Sequence, residues 1–260
     1  MDQKSLQYIL KDTPVTGLRY YDSAGSTNDI ALQWIESGVE DFSLVVGDQQ
    51  TAGRGRMQRK WVTNPGAALA FSLILHLTPK EISLAGLIPF MAGAALSSAL
   101  EQLYSLTPQI KWPNDILLKK KKTAGILVES IWQDEKHASV VIGIGVNISP
   151  SSLPPVENLA LPATFVENAV GSPVDRWQFL AAILSSLQSW RPELHSTRLI
   201  DHVTQRLAYR DEQVRIINNL GPEIHGRLVG IDQTGSLLLE TVDGVVPIHI
   251  GDVHLRLLND

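Results

Sequence analysis

The chain has 260 residues, a net charge of −5, and 44% hydrophobic against 19% charged residues. That is enough to bury a full core as one large domain or as a large and a small one. An isoelectric point near 5.8 excludes a broadly basic nucleic-acid-binding face, and the absence of cysteine excludes disulfides and thiolate metal sites.

Met1-Asp2-Gln3-Lys4-Ser5-Leu6 lacks the apolar stretch of a secretory signal, and residues 1–20 are short and mixed. A helix is expected over Ser26–Ser37, with Ser26 able to cap it and Ile30, Ala31, Trp34 and Ile35 forming a stripe. Ser43–Asp48 reads as a strand. Ala67–Leu77 alternates Leu69, Phe71, Leu73 and Leu75 and reads as another. The apolar run from Leu84 to Leu100 falls short of a membrane span and carries Pro89 and Ser97-Ser98. It reads as a buried helix over Glu81–Tyr104, in two pieces. Gln109–Trp112 is a short strand stopped by Pro113. Ile116–Leu118, a lysine turn and Thr123–Ile131 form a hairpin, and Val140–Ile148 is a strand. Ser149–Pro162 is loop; helices follow over Val174–Trp190 and Arg198–Ala208. From Val214 the pattern changes to five short strands, 214–217, 224–231, 236–241, 245–250 and 253–257. Asn218-Asn219-Leu220-Gly221, Asp232–Gly235 and Asp243-Gly244 supply the turns of a small barrel. The domain boundary is placed at 211, giving domains 1–211 and 212–260.

Several segments carry chemistry. In Thr51-Ala52-Gly53-Arg54-Gly55-Arg56-Met57-Gln58-Arg59-Lys60-Trp61, cations crowd a glycine-punctuated loop of an acidic protein. Gly53 and Gly55 let the main chain approach a ligand. Arg54, Arg56 and Arg59 can fork onto carboxylate or phosphate, and Trp61 offers a flat face. In Lys111-Trp112-Pro113-Asn114-Asp115, Asp115 could hold Mg²⁺ or accept a proton, and the same residues also suit a plain turn. Lys119–Lys121 read as a solvated hairpin tip, whereas Lys122 starts a strand and can face a cleft. Gly143-Ile144-Gly145-Val146-Asn147 places two glycines on an apolar strand, for close packing or for something flat. Ser26-Thr27-Asn28 serves a helix cap or a small polar ligand. No Walker A, His-Glu-x-x-His or Gly-x-Ser-x-Gly segment is present.

Taken together and in this order, these segments resemble the biotin–protein ligases, and the tail Gly251-Asp252-Val253-His254-Leu255-Arg256 resembles the end of that family's C-terminal domain. The resemblance runs from Ser23 to Arg256. It implies an α+β fold, a class II synthetase-like mixed sheet flanked by helices, followed by an SH3-like barrel. It implies that biotin and MgATP form biotinyl-5′-AMP, whose acyl group passes to a lysine of the biotin carboxyl carrier protein. Carried over by position, Ser26, Thr27, Asn28, Gln50, Arg54, Gly55, Arg56 and Lys122 would contact biotin or its adenylate. Trp61 would border the adenine, with Arg59, Asn114, Asp115, Asn147 and Arg256 toward the adenylate. Arg54, Arg56, Lys122 and Asp115 are the expected catalytic groups.

The chemistry suits the charges. A carboxylate and a triphosphate repel each other, and Arg54, Arg56, Arg59 and Lys122 offset that repulsion as they meet. At pH 7 only about one lysine in 10³ is neutral, so the transfer step needs a proton acceptor, and Asp115 is the candidate. The chain departs from the family at Met57-Gln58, where a basic residue and a glycine are usual, and in its more basic lysine turn. It also lacks the N-terminal DNA-binding domain of repressor-type ligases, so neither DNA nor membrane is an expected partner. A cytoplasmic monomer or homodimer is expected. The alternatives are a lipoate–protein ligase or octanoyltransferase, and a non-enzymatic binder of biotin or biotinyl-AMP.

Overall fold

Strand register decides which surface of this molecule can hold a ligand. The computed structural model describes residues 1–61, 63–132, 134, 137–153, 162–218, 223–249 and 253–257. Within them run α1 (Gln3–Ile9), β1 (Leu18–Ala24), α2 (Thr27–Glu36), β2 (Ser43–Gln50), β3 (Ala68–Leu77), α3 (Pro79–Ile82), α4 (Ile88–Tyr104) and β4 (Gln109–Lys111). There follow β5 (Asp115–Leu118), β6 (Lys121–Trp132), β7 (Ala138–Asn147), α5 (Val166–Val170), α6 (Arg176–Trp190) and α7 (Thr197–Gln205). The last strands are β8 (Gln213–Asn218), β9 (Ile224–Ile231), β10 (Leu237–Thr241), β11 (Gly244–Ile248) and β12 (Val253–Leu257). The expected strands and main helices are present; α1, β1 and α5 are additions. Residues 154–161 of the expected loop, Asn219-Leu220-Gly221, Ile250 and Gly251-Asp252 lie outside the described residues.

Seven strands form a mixed sheet in the order β1-β2-β3-β7-β6-β5-β4. Only β1 and β2 pair in parallel; the other neighbours are antiparallel. The last five strands form a separate antiparallel sheet, β11-β10-β9-β8-β12. The fold is α+β, as expected.

One face of the main sheet is fully covered. Leu69, Phe71, Leu73 and Leu75 alternate along β3 and join the core with Phe90 and Met91 of α4 and Phe179 and Ile183 of α6. Burying each such side chain contributes roughly 1.5–3 kcal/mol. The apolar run before Tyr104 divides into α3, a 3₁₀ turn over Ala85–Leu87, and α4. Thr78 and Glu81 close a capping box at α3, and Pro89 sits in the first turn of α4, where no N–H is needed. Among the described residues no helix is long and apolar enough to cross a membrane.

The opposite face is covered only at one end. There Ala31 and Ile35 of α2 meet Val45, Ile74 and Val141. The C-terminal sheet is fastened near the uncovered end, where Trp112 Nε1 donates to Gly235 O at 3.1 Å.

Candidate active site

The uncovered end has a floor of small residues. Gly47 opposes Ala70, Ala70 opposes Gly145, and Gly145 opposes Gly125. Gly125 opposes Asp115, and Asp115 opposes Lys111. Directly opposed residues share a face, so the row runs from bare backbone to two charged groups. The first turn of α2, the arginine loop and Arg256 of β12 surround it, enclosing a cavity of about 690 Å³. Ser26, Thr27, Asn28, Gln50, Arg54, Gly55, Arg56, Arg59, Trp61, Asn114, Asp115, Lys122, Asn147 and Arg256 all line this cavity. The structure brings together every site residue that the sequence singles out.

The neutral end is built by α2. Ser26 occupies the cap position, but its hydroxyl makes no capping hydrogen bond, contrary to the simplest expectation for it. Gln50 takes over: its Oε1 accepts from Thr27 N at 2.8 Å and Thr27 Oγ1 at 3.0 Å. Buried Ser72 Oγ lies 2.8 Å from Thr27 Oγ1 and 2.6 Å from Asn28 Oδ1. Asn28 Nδ2 donates to Glu129 Oε2 at 2.6 Å. The two glycines of β7 are now explained by space. A Cβ at Gly143 would stand 2.2 Å from Asn28 Oδ1, and one at Gly145 would stand 2.3 Å from the Trp61 indole. The flat group over Gly145 is the chain's own tryptophan. Trp61 Nε1 is buried without a hydrogen-bond partner, a donor set against the ligand cavity.

The arginine loop folds as a small hairpin. Gly55 N donates to Arg59 O at 2.7 Å and Trp61 N to Gly53 O at 2.8 Å. At its tip Met57 has φ 55°, a left-handed conformation that costs a residue with a side chain roughly 1–2 kcal/mol. The departure at Met57 therefore coincides with a strained turn. Arg54 turns to the rim and pairs with Asp29 and, at 3.4 Å, with Glu129.

The charged end gathers cations. Lys122 Nζ lies 2.5 Å from Asp115 Oδ1, a close ion pair although off the line of a well-directed hydrogen bond. It also lies 5.8 Å from the Trp61 ring centroid. Lys111 is buried, at 4% exposure. Burial pulls its amine down to about 8; Asp115 opposes this, while Arg256, Lys122 and Arg59 add to it. Burial, then Arg59, likewise lowers Arg256. Such crowding is unfavourable until an anion arrives. Asn114 spends its amide on Ile126 O at 2.7 Å, and Asn147 donates to Thr164 O at 3.1 Å. Both line the cavity while fixing its wall. Asp115 is the one carboxylate among the described lining residues. No cluster of three potential ligands (His, Cys, Asp or Glu) occurs among the described residues.

Sequence reasoning missed Lys111, Ser72, Glu129 and Asp29. Lys111 stands in a motif already singled out, which was the available signal; its pairing opposite Asp115 appears only in the fold.

A mixed sheet whose bare end faces a cationic cleft fits the acyl–protein ligases, and the family comparisons agree. The model of the Biotin/lipoate A/B protein ligase family matches residues 20–147, and that of the biotin protein ligase C terminal domain matches residues 211–256. The chain is 32% identical to the bifunctional ligase/repressor BirA of Bacillus subtilis, over 98% of this chain and 79% of that protein. It is 34% identical to a biotin–[acetyl-CoA-carboxylase] ligase of Paracoccus denitrificans, over 85% and 94%. The structure of the Aquifex aeolicus biotin protein ligase in complex with biotin and ATP superposes with a TM-score of 0.79 at 29% identity, covering 93% of this chain and 99% of that one. The chain belongs to the biotin protein ligase family.

Proposed function

We propose that this ligase joins biotin to ATP as biotinyl-5′-AMP and then biotinylates one lysine of a biotin carboxyl carrier protein. The observation that carries this reading is the two-ended cavity, neutral donors and acceptors at one end and crowded cations at the other. A cyclic urea offers two donors and one acceptor, which Ser26, Thr27, Asn28 and Gln50 can match. The fatty-acid-like tail would then run along the Trp61 indole, which itself covers Gly145 and Gly125, toward Lys122.

In the first step a biotin carboxylate oxygen attacks the α-phosphorus and pyrophosphate leaves. Arg56, Arg59, Lys111, Lys122 and Arg256 offset the charge that gathers there, already in place before the reaction. Magnesium would arrive with the triphosphate, and one carboxylate, Asp115, suits an ion that otherwise prefers phosphate oxygens and water; it would draw charge from the phosphates. In the second step a neutral lysine amine attacks the acyl carbon, AMP leaves, and the nitrogen gives up its proton. Asp115 can accept a proton once the adenylate phosphate competes for Lys122. Asp115→Asn should slow transfer from preformed adenylate about 100-fold; an unchanged transfer rate rules the role out.

The C-terminal domain match favours biotin over lipoate or octanoate. The division at 211 is supported by where that match begins. We further propose a cytoplasmic enzyme, monomeric or homodimeric, that makes no specific complex with operator DNA; a biotin-dependent gel shift would contradict the last point. The activity test is incubation with biotin, MgATP and an apo carrier domain. Mass spectrometry should show one biotinyl group added only when ATP is present. Biotin binding without transfer would point to the non-enzymatic binder.

A further inference from the structure

Three separate elements meet at the rim of the cavity through Arg54 and two carboxylates that lie outside the cavity lining. Glu129 lies on β6, two residues beyond Leu127 and on the same cavity-facing side. One of its carboxylate oxygens accepts from Asn28 Nδ2 at 2.6 Å. The other lies 3.4 Å from Arg54 Nη2. Arg54 also pairs with Asp29, in the first turn of α2. Arg54 is the first cation of the loop, at the foot of its small hairpin, where it bridges to Lys60.

We infer that Asp29 and Glu129 form an electrostatic latch that holds the arginine loop over the cavity through Arg54, with Glu129 also fixing the amide of Asn28. These are positioning residues: neither is among the residues lining the cavity. The latch deepens the ligase reading, because a loop held shut retains a mixed anhydride that water would destroy. Its geometry also sets its strength. The side chains are 36% (Arg54), 47% (Asp29) and 30% (Glu129) exposed. Pairs so exposed are weak and screened by salt. The loop is therefore held but can be released, as product exit requires.

The test reads the loop itself, with the full chain and no ligand. Arg56, Arg59 and Lys60 are trypsin sites, and their cleavage rate reports loop opening. Asp29→Asn and Glu129→Gln should each raise cleavage about threefold, and the double variant about tenfold. Raising salt from about 0.05 M to about 0.5 M should speed cleavage of the wild type and leave the double variant unchanged. Asp29→Glu, which keeps the charge, should restore protection; a merely structural role for Asp29 would not produce the salt response. Equal cleavage in all variants, or a salt response that survives in the double variant, overturns the latch. If Glu129→Gln disturbs folding through Asn28, as a lowered melting temperature would show, Asp29→Asn and its rescue by Glu carry the test. Release of biotinyl-adenylate, chased with unlabelled biotin, should follow the same order. Failure to form adenylate at all would count against the ligase reading, while the trypsin result would still decide the latch.

Discussion

The two ends of the partly covered face share their strands and differ in side-chain size. At one end Val45, Ile74 and Val141 reach far enough to meet Ala31 and Ile35 of α2. At the other, Gly47 leaves room for Thr27, and Gly145 and Gly125 leave room for Trp61 and the cavity. A period of two places residues on the face; their volume then decides whether a helix or a ligand covers them. The cleft is a stretch of core that the sequence declines to fill.

Breaking each end should give different failures. Gly145→Val should weaken biotin binding about 100-fold by displacing Trp61, measured by calorimetry, with the fold retained. Ile74→Ala should cost about 3 kcal/mol of unfolding free energy in denaturant titration, with normal turnover per folded molecule. A Gly145 variant that lost stability but not binding would erase the distinction.

Lys111 sets the charged end apart through pH. Its folded value of about 8 lies below the ordinary 10.5. Burying the charged amine therefore destabilises the fold most below pH 8, and the cost fades as pH rises from about 8 toward 10.5. Binding has the opposite dependence: phosphate holds the amine charged, so ATP binding near pH 8 should take up a proton. ATP affinity should fall by up to about tenfold per pH unit above 8. Calorimetry in buffers of different ionisation enthalpy measures the uptake. Lys111→Met should remove the pH dependence and raise the melting temperature at pH 7. The smallest effect is expected far from either end: Lys120→Ala, which loses a 3.5 Å exposed pair with Glu212, should change stability by less than about 1 kcal/mol.

Much of this was legible in the sequence. β3 announced itself because large residues alternate over ten positions, and the residues that line the cavity lie in compact motifs. β1 was not legible because Leu18–Ala24 is an edge strand with mixed, half-buried residues. α1 has a single buried residue within its span, Leu6, too little for a stripe. Ser72 and Glu129 join the site through strand pairing across many residues, which no local pattern records. Lys111 reads as a surface lysine until its pairing opposite Asp115 buries it. Gly145 signalled room for something flat, but only the fold shows that Trp61, far away in the chain, takes that room.

Biotin is expected to meet ATP on the bare end of the sheet. The most direct measurement is biotin-dependent exchange of labelled pyrophosphate into ATP, which reads adenylation without any carrier. The wild type and Ile74→Ala should exchange only when biotin is present, and folded Gly145→Val should need about 100-fold more biotin to do so. Exchange by Gly145→Val at the wild-type rate under the same limiting biotin would show that biotin binds elsewhere than on this end of the sheet.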